Sequence, residues 1–429
     1  MNDVSISNME DKKPIIETLK GVKSMETGNI AFILICSAMV FIMTPALAFF
    51  YGGLERRKNI LNTMMMSIGT MGLASIIWVA VGYSLSFSGD GTFVGNLHNI
   101  FFQGVSMTEG SGIPDGLFAI FQMMFSLITA AIITGSVVGR MRFPAIFLFL
   151  AIWLVVVYAP MAHMVWGGGF IAGLGAIDFA GGTVVHISSG LSGLILCLVL
   201  GQRREFKQAE YRPHNIPFVV LGTGFLWFGW FAFNAGSALA ADGIAIQAFL
   251  TTNTAAAAAM LSWMAVERFS TGKPTLVGAC TGGVVGLVAI TPGAGFVSIW
   301  SSIVIGLLVS PFCYYSISII KQKLGFDDSL DAFGCHGMGG IFGSIVTGIF
   351  ADPAVNGSTG LLYGGVDLFV AQLEATVITI VYVGVASFII ISIVKLIMPI
   401  RVSAKDEALG LDRSEHDESA YPTFMGLDS

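Results

Sequence analysis

Runs of apolar residues, each long enough to cross a lipid bilayer, recur along almost the whole chain. A transmembrane helix needs about 20 such residues. Runs of this kind begin near residues 28, 60, 116, 143, 180, 216, 243, 275, 296, 332 and 365, and no polar insert between them is long enough for a separate soluble domain. The pattern predicts an all-α polytopic membrane protein with eleven transmembrane helices.

The composition agrees with this class. Only 11% of the residues are charged, whereas soluble domains have about 25%. The 53 glycines lie among apolar residues, which favours close helix packing over disorder. The five cysteines are odd in number and scattered through the apolar runs, so they are expected to be packing residues rather than a disulfide framework.

Lysine and arginine are distributed asymmetrically among the loops. Alternate loops and the C-terminal segment hold 17 of the 21 basic residues, the N-terminal segment holds four, and the intervening loops hold none. Because basic residues mark the cytoplasmic side of a membrane protein, we expect the N-terminus outside and the C-terminus in the cytoplasm. The predicted regions are an extracellular polar tail over 1–27, a membrane domain over 28–398 and a cytoplasmic regulatory tail over 399–429.

One short pattern occurs twice. An aspartate is followed eight residues later by a histidine at Asp178 and His186, and again at Asp328 and His336. The first copy begins the fifth span and the second begins the tenth, and both spans are rich in glycine. Because the offset of five spans is odd, the two helices enter the membrane from opposite faces. That offset is typical of an inverted-topology repeat, which places its substrate site near the membrane midplane. We therefore predict a five-plus-five inverted repeat.

The two histidines lie in otherwise apolar surroundings. Ionisable groups inside a membrane tend to face a cavity and mark a pathway, which favours a pore function over a core histidine bonded to backbone. A metal site is less favoured because no cysteine or carboxylate ligands accompany them, and no cofactor is expected. Asp178 is expected to cap its helix by accepting the amides of Ala180 and Gly181, with attraction of a cation as a compatible role. Asp328 and Asp331 have similar positions at the tenth span.

Two further features have alternative interpretations. Ser192, in GLSG, together with an intramembrane histidine would suit a protease nucleophile, although helix packing explains this motif better. Phe125 lies in the third span, and by orientation Trp166 and Ser237 both lie near the outer face. A ring face beside a hydroxyl suits a small cation that donates hydrogen bonds, whereas each residue alone would fit an interfacial belt.

Several stretches together resemble the ammonium transporter family (Amt, Mep and Rh proteins). They are FYGGL, RMRFPA, AHMVWGGG, DFAGGTVVHISSG, GWFAFNAGS, DAFGCHG and VTGIF, and the resemblance extends from about residue 28 into the C-terminal tail. It implies an eleven-helix fold, a homotrimer and one pore in each subunit, in the cytoplasmic membrane of a bacterium or archaeon.

The resemblance also implies roles for individual residues. Substrate would be bound by Phe125, Trp166 and Ser237, with Asp178 recruiting ammonium and Gln122 and Thr281 as nearby polar groups. Phe125 and Phe233 would form a stacked gate and Trp230 would line the pore. His186 and His336 would be the twin pore histidines.

The implied function is ammonium transport for nitrogen uptake, not enzymatic catalysis. Ammonium would bind outside, lose a proton and cross as ammonia, with the histidines as a candidate proton relay; methylammonium is a candidate second substrate. The tail resembles the segment by which bacterial members respond to PII signal proteins, so a PII-type partner is expected and a nucleic acid is not. An ammonium sensor that signals through its tail is the alternative function.

Overall fold

The computed structural model describes residues 27–206 and 212–421, and these residues are helical with no β-strand. Ten helices in this part of the chain are long and apolar enough to cross a membrane. They are α1 (Thr27–Leu54), α2 (Arg57–Phe87), α3 (Asp115–Thr134), α4 (Phe143–Gly173), α5 (Gly182–Leu200), α6 (Ile216–Gly236), α7 (Gly243–Ser270), α9 (Ile299–Leu324), α10 (Phe333–Phe350) and α11 (Val366–Ile397). The all-α polytopic fold is confirmed.

The predicted eighth span is the shorter helix α8 (Leu276–Ile290). At 15 residues and 1.5 Å per residue, it is about 22 Å long, which is less than the roughly 30 Å hydrocarbon core of a bilayer. Turns continue its buried course as far as Phe296. The count of eleven transmembrane helices therefore stays a prediction. Residues 1–26 and 422–429 lie outside the described residues, so most of the predicted N-terminal tail lies there too.

Local sequence accounts for several helix starts. The side chains of Asn215, Asp242, Thr275 and Ser298 accept backbone amides at the first turns of α6, α7, α8 and α9. These are the residue types that satisfy the free amides of a helix N-terminus. Each of these four loops therefore supplies the residue that caps the start of the next helix.

The helices that carry the two histidines cross at very close range. A Cβ on Gly190 of α5 would lie 2.2 Å from the backbone nitrogen of Gly337, and one on Gly340 of α10 would lie 3.0 Å from the Cβ of His186. Each helix thus presents a glycine to the histidine turn of the other, as expected for two equivalent helices crossing in opposite directions. A side chain at Gly190 would clash with the backbone of α10, and one at Gly340 would fit only if its neighbours shifted, so the two glycines allow this close approach.

The loops rich in arginine meet at one end of the bundle, which we call the basic face. Arg203 bonds Asp327 and lies 3.8 Å from Glu55, while Arg140 donates to the carbonyl oxygen of Gly201. The C-terminal segment packs against the same loops as two short helices, α12 (Ala404–Leu409) and α13 (Leu411–His416). This face is the one predicted to be cytoplasmic.

All five cysteines are buried and free, so their expected role in packing is confirmed.

Candidate functional site

Aromatic rings from three different helices form the start of a continuous ladder through the bundle. The rings of Trp166 on α4 and Phe125 on α3 form a T-shaped pair, with 5.9 Å between ring centroids. Phe125 in turn stacks on Phe233 of α6 at 4.1 Å and 21°. Phe125 and Phe233 are both only 1% exposed. The two stacked rings therefore close the passage at this level.

Two polar residues lie beside the aromatic end of the ladder. Ser237 directly follows α6, one turn beyond Phe233, and its hydroxyl donates to the Phe233 carbonyl oxygen at 2.9 Å. Gln122 is three residues before Phe125 on α3, and its buried side-chain oxygen has no hydrogen-bond partner among the described residues. An unpaired buried acceptor is costly unless another donor reaches it. Both residues thus offer oxygen atoms near Phe125.

Beyond the phenylalanines, the ladder continues into the histidine pair. The ring centroids of Phe233 and His186 are 6.3 Å apart, and those of His186 and His336 are 5.3 Å apart. The two Nδ1 atoms lie 3.2 Å from each other, within hydrogen-bond distance. Because two N–H groups would repel at this distance, one Nδ1 donates and the other accepts.

Trp230 fixes the ring of His186 from one side. Its indole stacks on the imidazole at 5.3 Å, and its N–H donates to the Thr291 hydroxyl at 2.8 Å. The Nε2 atom of His186 is buried and has no partner among the described residues. His186 and His336 both line a space whose other walls are mostly apolar, so the two imidazoles are its main polar groups.

Asp178 caps the turn that carries His186. One carboxylate oxygen accepts the amides of Gly181 and Gly182 at 2.8 and 2.6 Å, and the other accepts the amide and hydroxyl of Thr183. The expected cap is present, but the expectation for Ala180 is wrong: the second amide is that of Gly182. The turn that follows is wider than an α-helical turn, because the His186 amide bonds the Gly181 carbonyl oxygen five residues back. The amide that reaches the carboxylate is therefore that of Gly182.

Asp328 repeats this geometry at the second histidine. Its Oδ2 atom accepts the amides of Phe333 and Gly334, five and six residues ahead, the same offsets at which Asp178 accepts Thr183 and Val184. The expectation that Asp331 acts in the same way is wrong. Its carboxylate instead pairs with Lys321 at 2.6 Å.

Two cavities lie on the path beyond the aromatic gate. The first is narrow, with a volume of about 10 Å³, and has both histidines, Trp230 and Phe233 in a wall that is otherwise aliphatic or aromatic. The second, of about 200 Å³, opens at the basic face beside Glu55 and Arg203. Phe50 borders both cavities.

Thr281 lines the second cavity, on the far side of the histidines from Trp166. Its predicted role as a polar group near the substrate stays a prediction. Thr281 sits early in α8, which begins at the basic face, so its position along the helix sets its depth in the bundle.

The protease interpretation of Ser192 finds no support in its contacts. The Ser192 hydroxyl bonds the Trp153 indole, the Ser188 carbonyl oxygen and the Ser387 hydroxyl, so its neighbours tie helices together and offer no base. Among the described residues, no group of three or more histidine, cysteine or acidic side chains is arranged to hold a metal ion.

Sequence reasoning missed two residues of the site. Phe50 belongs to the quoted stretch FYGGL but received no role, and Thr291 holds Trp230. Phe50 on α1 and Thr291 just after α8 are both distant in sequence from the histidines, so only packing reveals them.

Comparison with known proteins identifies the family. The model of the Ammonium Transporter Family matches residues 31–421. The chain belongs to this family. It is 47% identical to the ammonium transporter of Bacillus subtilis (strain 168), over 94% of this chain and 100% of that relative. The crystal structure of Saccharomyces cerevisiae Mep2 matches with a TM-score of 0.84 and 36% identity, over 90% of this chain and 89% of Mep2. A structure titled Sensor Amt Protein matches with a TM-score of 0.86 and 26% identity, over 91% and 98%.

Family membership, together with the ten apolar helices, makes the chain a multi-pass protein of the cell membrane. Its function is ammonium transport, as the resemblance predicted. How the aromatic ladder and the histidine pair perform that transport is a separate question.

Proposed function

We propose that this transporter binds ammonium at Trp166, Phe125 and Ser237, removes a proton from it, and conducts ammonia along the aromatic ladder. The observation that carries the proposal is the unbroken series of ring contacts from Trp166 through Phe125 and Phe233 to His186 and His336. The face of the bundle that holds Trp166 would be extracellular and the basic face cytoplasmic.

The proposed binding step uses the polar and aromatic groups at the end of the ladder. Ring faces attract a cation, and the oxygens of Ser237 and Gln122 are acceptors for its N–H groups. Potassium lacks such donors. Asp178 would act mainly through its cap, since its carboxylate already accepts five hydrogen bonds.

The proposed conduction step follows from the cost of burying charge. An ion is expensive to place among apolar side chains, and the first cavity is lined mostly by such groups. Ammonia, being neutral, avoids that cost and can bond the free Nε2 of His186. The proton that ammonium loses would be accepted by the histidine pair, the base of this step, and would pass between the two imidazoles, whose Nδ1 atoms are within hydrogen-bond distance.

The assembly and its partners are part of the same proposal. We expect a homotrimer with one pore in each subunit, and a PII-type protein that binds the basic face. The tail packs beside this face, where Tyr421 bonds His214 and Lys58 donates to the last carbonyl oxygens of α12. A partner that binds the basic face would therefore also contact the tail. Methylammonium is expected to be a second substrate.

A current measurement tests transport against sensing. Proteoliposomes that contain the purified protein receive a rapid ammonium pulse, and the charge movement is recorded on a supported membrane. We expect a transport current that decays as the lumen fills with substrate. Its decay should become slower when the protein density is lowered at constant liposome size, because fewer pores fill the lumen more slowly. A brief transient whose decay is independent of protein density would indicate binding alone and would favour the sensor.

A further inference from the structure

Asn253 is a polar residue on an outward face of the bundle that is otherwise apolar. It lies on α7, and Ile246, Leu250 and Leu261 share its face at offsets of seven, three and eight residues. All four residues are exposed on the surface of the subunit. The Asn253 side chain makes no hydrogen bond in the described part of the chain. Its amide is therefore left for a group outside the subunit.

Asn253 also lies deep in the membrane-spanning part of α7. The amide of Ala241, just before α7, donates to the Asn29 side chain at 3.0 Å, so α1 and α7 start at one level. Asn253 is twelve residues beyond Ala241, or about 18 Å at 1.5 Å per residue. That is near the middle of a hydrocarbon core of roughly 30 Å. Lipid chains offer no hydrogen-bond partner at this depth, so an unpaired amide is costly there.

A backbone acceptor on α1 lacks its usual donor. Pro45 has no amide, so the carbonyl oxygen of Phe41, four residues back, has no helical N–H to accept. The next amide, that of Ala46, donates to the Ile42 carbonyl oxygen at 3.0 Å. Phe41 is 46% exposed, which places this turn on the outward face of α1.

The same situation occurs inside the subunit, where α7 supplies the missing donor. Pro311 lies within α9 and leaves the carbonyl oxygen of Leu307 without its helical amide. The Ser262 hydroxyl on α7 donates to that oxygen at 2.8 Å. A side chain of α7 thus already pairs with one carbonyl that a proline has freed.

Phe41 and Asn253 match in depth. Phe41 is twelve residues beyond Asn29, as Asn253 is twelve residues beyond Ala241. Copies related by rotation about an axis along the membrane normal keep their depth, so Asn253 of one copy can meet Phe41 of the next. Because α6 packs against both α1 and α7, the contact would join two different faces of the subunit. Contacts of this heterologous kind close into rings such as a trimer.

We propose that the outward face of α7 is a contact between copies of this chain, in which the Asn253 amide donates to the carbonyl oxygen of Phe41 in the neighbouring copy. The inference deepens the proposed homotrimer and rests on it. Ala257, one turn beyond Asn253, is small and lets a neighbouring helix approach closely. A lipid chain in the same place would leave the amide unpaired.

Cross-linking tests where the two residues meet. The double variant Phe41→Cys, Asn253→Cys is oxidised in liposomes at low protein density and run on a non-reducing gel. We expect covalent dimers and trimers that a reductant removes, because the proposed bond brings the Cα atoms within the roughly 7 Å that a disulfide spans. The matched control is Phe41→Cys, Val381→Cys, since Val381 is an apolar residue of α11 with 59% exposure. Products that are equal in the two double variants, or absent from both, overturn the contact.

The contribution of Asn253 is measured by dissociation of the oligomer. Native mass spectrometry of the protein in detergent gives the fraction of trimer over a range of protein concentrations. Asn253→Leu loses three equivalent bonds per trimer, each worth about fivefold in the dissociation constant. The concentration at half dissociation scales as the square root of that constant, so it should rise about tenfold. Asn356→Leu is the control, because Asn356 is an exposed asparagine between α10 and α11.

The outcomes separate this contact from the proposed assembly. If Asn253 faced lipid, Asn253→Leu would remove a polar group from hydrocarbon and the oligomer would dissociate no more readily than the wild type. That result overturns the contact and leaves the homotrimer standing. A wild-type protein that is monomeric at every concentration, with no cross-linked product, overturns both. The proposed pore is tested separately by the ammonium current.

Discussion

The indole N–H of Trp166 donates to the backbone carbonyl oxygen of Asp178 at 2.8 Å. The same aspartate uses its side chain to cap the turn that carries His186. One residue therefore sets the position of a ring at the end of the ladder and of the first histidine inside it. Because the bond to Trp166 uses main-chain atoms, substitutions of the Asp178 side chain act first on the histidine turn.

The Asp178 cap can be tested by two substitutions of different severity. Loss of a helix cap costs about 1–2 kcal/mol, and here four amides lose their acceptor together. We expect Asp178→Ala to lower methylammonium uptake by at least about tenfold. Asp178→Asn keeps one acceptor oxygen and should retain more activity and assemble better. An alanine variant that assembles and transports like the wild type contradicts both roles given to Asp178.

The contribution of Trp166 to binding can be separated from turnover. Contact between a cation and an aromatic face is worth about 1–2 kcal/mol, so Trp166→Ala should raise the KM for ammonium about 5- to 30-fold with a smaller change in kcat. Phe93→Ala serves as the control because Phe93 is an aromatic residue of the neighbouring loop with 59% exposure. Equal KM values in the two variants would exclude Trp166 from the ammonium site.

The repeated aspartate-histidine pattern predicted much of the site because it combines two strong physical constraints. A histidine in a lipid-facing stretch is costly and so marks the interior, and an aspartate just before a helix marks its first turn. The structure brings the two patterns together with the same capping offsets, at Thr183 and Phe333. Such features can be predicted from sequence because each one depends on residues only a few positions apart in the chain.

Other features could not be predicted because they depend on distant contacts. The depth of Thr281 is set by where α8 begins relative to the histidines, and its place beside Glu55 follows only from packing. The amides that Asp178 accepts differ from the predicted ones because the turn to His186 is wider than an α-helical turn. The partners of Arg140 are 61 or more residues away in sequence, beyond the reach of any local pattern.

The buried ion pair at the basic face is expected to stabilise the fold. Asp327 accepts from the backbone and side chain of Arg203 and lies beside Arg140. Loss of one partner from a buried pair costs about 3–5 kcal/mol, so Asp327→Asn should markedly lower the denaturation temperature in detergent. Asp331→Asn is the control, because its more exposed pair with Lys321 should contribute less than about 1 kcal/mol.

The pH dependence of this pair has a defined sign. Burial alone raises the pKa of Asp327, but the hydrogen bonds and charge of Arg203 and the charge of Arg140 outweigh it and leave the pKa below its ordinary value. The stabilisation is therefore complete above the ordinary aspartate pKa of about 3.9 and is lost as the pH falls through the lower folded value. Thermal stability that declines equally on acidification in wild type and Asp327→Asn would contradict this assignment.

The histidine pair gives the most discriminating test of conduction. The Nδ1 atoms of the two rings are 3.2 Å apart, as the proposed relay requires. Replacing both His186 and His336 by leucine should leave an assembled protein whose ammonium current falls at least about 100-fold, the usual contribution of a positioned acid or base.

Replacing His186 alone by glutamate should have a different effect. A carboxylate attracts water and whole cations into the first cavity, so desolvation no longer decides what crosses, and potassium should then carry current. A histidine that serves only to pack the core would instead cause loss of assembly or no change, with selectivity unaltered. Potassium and ammonium currents are therefore compared in proteoliposomes for variants that elute as assembled protein. Wild-type selectivity in assembled His186→Glu would contradict the proposed relay, because the imidazole of His186 would then not be what excludes potassium.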